Sequence, residues 1–88
     1  MYEQQILRIL LDVGGRGISV KKLAKHVYNH YCTLFYQPEF DKIHRYTQYY
    51  LLSRSRRADA IIEQTGKRGC YRLKPKAARQ LAAAFDES

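Results

Sequence analysis

No apolar run in this sequence approaches the roughly 20 residues that a bilayer-spanning helix requires, so no membrane segment is expected. The first residues lack the basic start and small-residue cleavage site of a secretory signal. Glu3, Gln4 and Gln5 instead precede a short periodic apolar segment, and a cytoplasmic protein is expected. There are only two cysteines, Cys32 and Cys70, and neither belongs to a C-x-x-C pair. In a reducing compartment such isolated cysteines behave as small buried hydrophobes rather than as a disulfide.

Acidic residues are few, 8 against 16 Lys+Arg. They are also scattered, which leaves no carboxylate pair for hydrolysis and no two-metal nuclease site. The glycine run at 14–17 is not followed by the Lys-Ser/Thr of a phosphate-binding loop. His26 and His30 are spaced i, i+4, with Cys32 and His44 nearby in sequence. No paired cysteines and no intervening glutamate complete a zinc site there. Ser19 is accounted for as a helix cap. The expectation is a protein that is not an enzyme and uses no cofactor and no metal.

What is present is charge of one sign in one stretch. The chain has 88 residues and a net charge of +8, and its length suits one domain spanning 1–88. Apolar residues make up 45%, enough for a core and too many for a disordered chain. Residues 42–76 contain the basic Lys42, Arg45, Arg54, Arg56, Arg57, Lys67, Arg68, Arg72, Lys74 and Lys76 against Asp59 and Glu63. That segment alone accounts for the whole net charge, and the remainder balances. A polyanion partner is the simplest reason to concentrate charge so; the plainer alternative is a solvated face that keeps the protein soluble.

Periodicity gives the order of elements. Residues 2–13 predict a helix with Ile6, Ile9, Leu10 and Val13 on one stripe, ended by Gly14-Gly15-Arg16-Gly17. Ile18-Ser19 opens a second helix with Ser19 as N-cap. Val20, Leu23, Ala24, Val27 and Tyr31 face inward on it, and Lys21, Lys22, Lys25 and Asn29 face outward. The connector 32–39 contains Leu34-Phe35-Tyr36 and Pro38; it is too apolar for a solvated loop, and part of it is expected on the core.

A third helix from Phe40 or Asp41 to about Ser53 places Phe40, Ile43, Thr47, Tyr50 and Leu51 on one face, with Tyr46 at its edge. Lys42, Arg45, Gln48, Tyr49 and Leu52 point the other way, and Ser53-Arg54-Ser55-Arg56-Arg57 forms a basic connector. Residues 60–65 and Cys70-Tyr71-Arg72-Leu73 read as two strands of a hairpin with Gly66-Lys67-Arg68-Gly69 at its tip. Pro75 starts a last helix with Ala78, Leu81, Ala82 and Phe85 as its stripe and Asp86-Glu87-Ser88 as an acidic end. The expected fold class is mainly α with a small β-hairpin (α+β), in the order α-α-α-β-β-α. No βαβ unit is present to make a parallel sheet.

Two segments carry a family resemblance. Residues 17–27, Gly-Ile-Ser-Val-Lys-Lys-Leu-Ala-Lys-His-Val, look like the second helix of many winged helix-turn-helix domains. Residues 69–75, Gly-Cys-Tyr-Arg-Leu-Lys-Pro, look like the return strand of the wing. The chain thus resembles the winged helix-turn-helix DNA-binding superfamily over nearly its whole length, and is similar to small bacterial regulators and DNA-associated modules. The apolar connector 32–39 departs from the pattern, being longer than the usual turn between the second and third helices.

The resemblance implies that the third helix enters the major groove of double-stranded DNA and that the hairpin touches the flanking backbone or minor groove. The residues agree with this. The major groove, roughly 12 Å wide, admits one helix, and Lys42, Arg45 and Gln48 offer donors, Arg45 to guanine and Gln48 to adenine. Tyr49 suits a phosphate or sugar. Arg54, Arg56 and Arg57 suit the backbone at the helix end, and Lys67 and Arg68 suit phosphates or a narrow minor groove. Lys21, Lys22 and Lys25 would position the protein without reading sequence. Bound to DNA, such a protein would be nucleoid-associated.

The competing reading is a winged helix that binds a protein partner or a second copy through Leu7, Leu11, Leu34-Phe35-Tyr36 and Leu52, marked by a large exposed apolar patch. A third is RNA or a single strand, drawn by the charge and the eight tyrosines. Tyr46, Tyr50 and Tyr71 are expected in or at the edge of the core, with their hydroxyls reaching polar partners.

Overall fold

A computed structural model describes residues 2–57 and 59–87. Ser88 and the side chains of Asp86 and Glu87, which make up the acidic end, lie outside the described residues. Among those described, the chain is mainly helical with one small antiparallel sheet. Helix α1 spans Glu3–Val13, a 3-10 turn covers Gly14–Arg16, and strand β1 is Ile18–Ser19. Helix α2 spans Val20–Tyr31 and α3 spans Phe40–Ser55. Strands β2 (Ile62–Gln64) and β3 (Cys70–Leu73) follow, and α4 (Pro75–Glu87) closes the chain. The sheet order is β1-β3-β2.

Strand β1 corrects the expectation that Ile18-Ser19 belongs to the second helix. These two residues pair with β3, Ile18 opposite Tyr71 and Ser19 opposite Cys70. The cause lies one residue earlier. Gly17 has φ 73° and ψ −179°, a region essentially restricted to glycine, and it runs so close to β3 that a Cβ there would stand 2.8 Å from the Tyr71 carbonyl oxygen. The chain therefore enters extended and joins the sheet before it coils. Ser19 ends the strand and also caps α2, its side chain accepting from the Lys22 N–H at 3.2 Å.

Helix α3 runs two residues beyond the expected end, with the Ser53 hydroxyl donating to the Tyr50 carbonyl at 3.2 Å and Ser55 to Leu52 at 3.1 Å. Strand β2 is shorter than residues 60–65 and pairs in the register Ile62 with Leu73, Glu63 with Arg72 and Gln64 with Tyr71. In α4 it is Ala77 that is buried, while the expected stripe of Ala78, Leu81, Ala82 and Phe85 is half-buried.

The core gathers one face of each element: Ile6 and Leu10 of α1, Leu23, Ala24 and Val27 of α2, Ile43, Tyr50 and Leu51 of α3, and Ile18, Ile62, Tyr71 and Leu73 of the sheet. Tyr46 is half-buried, so the three tyrosines expected in or beside the core are found there. Thr47 is fully buried among these side chains, and its Oγ1 has no hydrogen-bond partner among the described residues. Cys32 and Cys70 are unpaired thiols and half-buried rather than buried.

The connector overturns a second expectation. Leu34, Phe35 and Tyr36 are 86%, 95% and 53% exposed; Pro38 is the connector residue that is buried. A local polar clasp sets this geometry. The Thr33 N–H donates to the Tyr36 carbonyl at 2.7 Å, and the Tyr36 N–H donates to Thr33 Oγ1 at 2.9 Å. The turn closed by these bonds holds Leu34 and Phe35 outward.

Candidate nucleic-acid interface

Three groups of basic and polar side chains stand on the surface. The first lies on α3, where packing of Ile43, Thr47, Tyr50 and Leu51 inward turns the opposite face out. Lys42, Arg45, Gln48 and Tyr49 are all exposed there. Lys42 lies 3.8 Å from Glu39, a solvent-facing pair one helical turn apart; such a pair contributes little and leaves the ammonium available. No hydrogen bond or ion pair engages the side chains of Arg45, Gln48 or Tyr49 among the described residues.

The second group is the hairpin tip. Thr65 N–H donates to the Cys70 carbonyl at 3.0 Å, Lys67 N–H to Thr65 Oγ1 at 3.2 Å, and Cys70 N–H to the Lys67 carbonyl at 3.3 Å. These bonds close a tight turn with Lys67 and Arg68 exposed at its end. The third group, Lys21, Lys22 and Lys25, is exposed on α2. The Val20 N–H donates to the Gly69 carbonyl at 3.1 Å, so the hairpin tip is fastened to the first turn of α2. Lys21 and Lys22 thereby neighbour the tip that carries Lys67 and Arg68, although they lie far apart in the chain. No hydrogen bond or ion pair links the outward face of α3 to that tip among the described residues.

Past the end of α3, Arg56 and Arg57 are exposed, but Arg54 is diverted. Its guanidinium lies 4.0 Å from the Glu3 carboxylate and 5.3 Å from the centroid of the Tyr50 ring. The Tyr50 hydroxyl donates to the same Glu3 carboxylate at 3.2 Å. Burial, followed by the Glu3 charge and that hydrogen bond, pushes the Tyr50 hydroxyl up to about 12, with Arg54 pulling the other way. The i, i+4 spacing of Tyr50 and Arg54 hinted at this contact; the approach of Glu3, 47 residues before Tyr50, had no local signal.

Arg72 is likewise structural. It donates to the Gly15 carbonyl at 3.2 Å and lies 3.8 Å from Glu63, tying the 3-10 turn to the sheet. Together with Tyr46, Tyr49, Tyr50 and Ser53, the residues Glu3, Arg54 and Arg57 line a shallow groove along the C-terminal half of α3.

No helix among the described residues is long and apolar enough to cross a membrane. No protein-family profile, no curated protein and no solved structure matches the chain.

Proposed function

We propose that the chain is a winged-helix protein that binds double-stranded DNA, serving as a transcriptional regulator or DNA-associated module in the cytoplasm, at the nucleoid. In this reading α3 lies in the major groove. Arg45 and Gln48 face base edges, Lys42 and Tyr49 face the walls of the groove, and Arg56 and Arg57 follow the backbone. The β2–β3 hairpin is the wing, and Lys67 and Arg68 join Lys21, Lys22 and Lys25 on phosphates. Arg54 has a smaller part because Glu3 already engages it.

The observation that carries the reading is the division of α3 into two faces. One builds the core, and the other presents Lys42, Arg45, Gln48 and Tyr49 to solvent. A stripe of donors on a helix otherwise fixed by its own packing is what major-groove readout needs. The test is binding to random-sequence duplex across a salt series. The logarithm of affinity should fall with the logarithm of salt by about 0.9 per phosphate neutralised. Absence of duplex binding at low salt would refute the proposal.

One observation favours the second reading, a protein-interaction role for the fold: the connector holds Leu34 and Phe35 in solvent. It concerns a different part of the surface.

A further inference from the structure

Between α2 and the start of α3 lies an open groove of about 390 Å³, lined by Lys21, Lys25, Tyr28, Asn29 and Phe40. That size is near the low end for small-ligand sites, roughly 300–1,000 Å³. Its apolar part is aromatic. The Tyr28 and Phe40 rings meet edge to face at 5.7 Å, and Phe40 stacks on His44 at 5.8 Å with the planes 7° apart. Tyr28 and Phe40 are half-buried, so these contacts fix their positions while both rings still line the groove.

Lys21, Lys25 and Asn29 are exposed and follow one another at i, i+4 and i+8 on α2. They form one row along the helix, about 12 Å from first to last at 1.5 Å per residue. No hydrogen bond or ion pair engages these three side chains among the described residues. No carboxylate lines the groove among the described residues. Of the two acids beside Phe40, Glu39 pairs with Lys42 at 3.8 Å, and Asp41 faces solvent outside the lining.

The groove therefore offers two free ammonium groups, two aromatic rings and one carboxamide that both donates and accepts. A nucleotide has a part for each. Lysine holds phosphate as a point charge. A base stacks on an aromatic ring whatever its sequence. The carboxamide of asparagine matches the edge of adenine, accepting from one nitrogen and donating to another. In a paired duplex the faces of the bases are closed off in the stack, so the groove suits only a base that is unpaired.

We infer that this α2–α3 groove binds a nucleobase together with its phosphate, carried by a free nucleotide or by an unpaired nucleotide of a strand. The phosphate lies against Lys21 and Lys25, the base against Tyr28 and Phe40, and the base edge on Asn29. Lys21 and Lys25 also belong to the residues assigned to duplex phosphates. Nucleotide binding does not require that assignment, and its test contains no duplex.

The test is an amide-shift titration of the whole chain by NMR with adenosine 5′-monophosphate at low salt. Concentrations up to about 10 mM saturate a millimolar site. Saturable shifts should centre on Lys21, Lys25, Tyr28, Asn29 and Phe40. Adenosine and inorganic phosphate, each half of the ligand, should bind roughly fivefold more weakly or worse. Replacing Lys21 and Lys25 together with Gln should weaken the nucleotide by roughly fivefold or more and leave adenosine unchanged. Phe40→Leu should weaken nucleotide and adenosine alike, by roughly fivefold or more. Should that variant perturb the fold, the exposed lysine pair carries the test.

A short single-stranded oligoadenylate separates the two sources. Tighter binding than the mononucleotide at the same residues assigns the groove to an unpaired strand, and equal or weaker binding there assigns it to a free nucleotide. The absence of saturable shifts, shifts reproduced in full by inorganic phosphate, or a nucleotide affinity unmoved by loss of both lysines would each overturn the inference.

Discussion

The backbone N–H of Val20 and the carbonyl of Gly69 meet at 3.1 Å, joining the start of α2 to the hairpin tip. Lys21 and Lys22 follow the first residue, and Lys67 and Arg68 precede the second, so two segments distant in the chain bring exposed basic residues near one another. If those residues rest on phosphates, replacing Lys67 and Arg68 with Ala should weaken binding to every duplex sequence alike. The slope of log affinity against log salt should become shallower by about 0.9 for each phosphate that is no longer neutralised. Replacing Lys21 and Lys22 should have the same sequence-independent signature. A salt titration by fluorescence anisotropy reads both.

The outward face of α3 should behave differently. Arg45→Ala and Gln48→Ala remove donors matched to base edges, so each should cost about 1–3 kcal/mol against the preferred sequence and much less against random duplex. Selection of binding sites from a random library, followed by competition with random duplex, measures the ratio. An equal loss on both would assign these residues to the phosphate backbone instead.

The fold was legible in the sequence wherever one strip of residues faces one environment. The stripes of α1, α2 and α3 follow the 3.6-residue period because each helix has a single buried face, and the hairpin was marked by its bracketing glycines. Two features escaped for the same physical reason. Strand β1 exists because Gly17 lets the chain pass against the Tyr71 carbonyl, a long-range approach that two residues of local pattern cannot encode. The exposed Leu34-Phe35 tip follows from a polar clasp made by Thr33 and Tyr36, which overrides the apolar composition of the loop. At the candidate interface, the exposure of Lys42, Arg45, Gln48 and Tyr49 followed from the helical period. The diversion of Arg54 depended on Glu3, far away in the chain.

Gly17 offers a direct test of that account. Its backbone lies in a region that costs a non-glycine residue about 1–3 kcal/mol, and an added Cβ would stand 2.6 Å from Thr65 Cγ2 and 2.8 Å from the Tyr71 carbonyl oxygen. Gly17→Ala should destabilise the protein by roughly 2–3 kcal/mol, measured by urea denaturation. Gly15→Ala has no atom within 4 Å of the new methyl and no positive φ, so it should be close to neutral.

Tyr50 predicts a pH dependence. Its hydroxyl is held neutral by burial and by the Glu3 carboxylate, and moves from 10.0 to about 12. Below pH 10 both the folded and unfolded chains keep the proton, and the contribution to stability is whole. Between pH 10 and about 12 the unfolded chain releases the proton while the native state retains it, so stability falls across that window and the contribution is gone above it. Tyr50→Phe should cost about 1 kcal/mol near neutral pH, through loss of the hydrogen bond to Glu3, and should flatten the alkaline decline. Urea midpoints at about pH 8, 10 and 11.5, compared between the two chains, check both parts.

Thr47 should respond in the opposite direction. Its side chain is fully buried in the middle of α3, and its hydroxyl reaches no partner among the described residues. A buried hydroxyl without a hydrogen bond has lost its water and gained nothing in return, at a cost of about 1–3 kcal/mol. Valine keeps the branched shape at Cβ and removes the polar atom. Thr47→Val should therefore stabilise the protein by about 1 kcal/mol, seen as a higher urea midpoint at an unchanged slope. Because Thr47 faces the core while Arg45 and Gln48 face outward on the same helix, the substitution should leave duplex affinity unaltered. A gain in stability together with unchanged binding would separate the two faces of α3 by experiment, and a loss of stability would mean that the hydroxyl has a partner in solution.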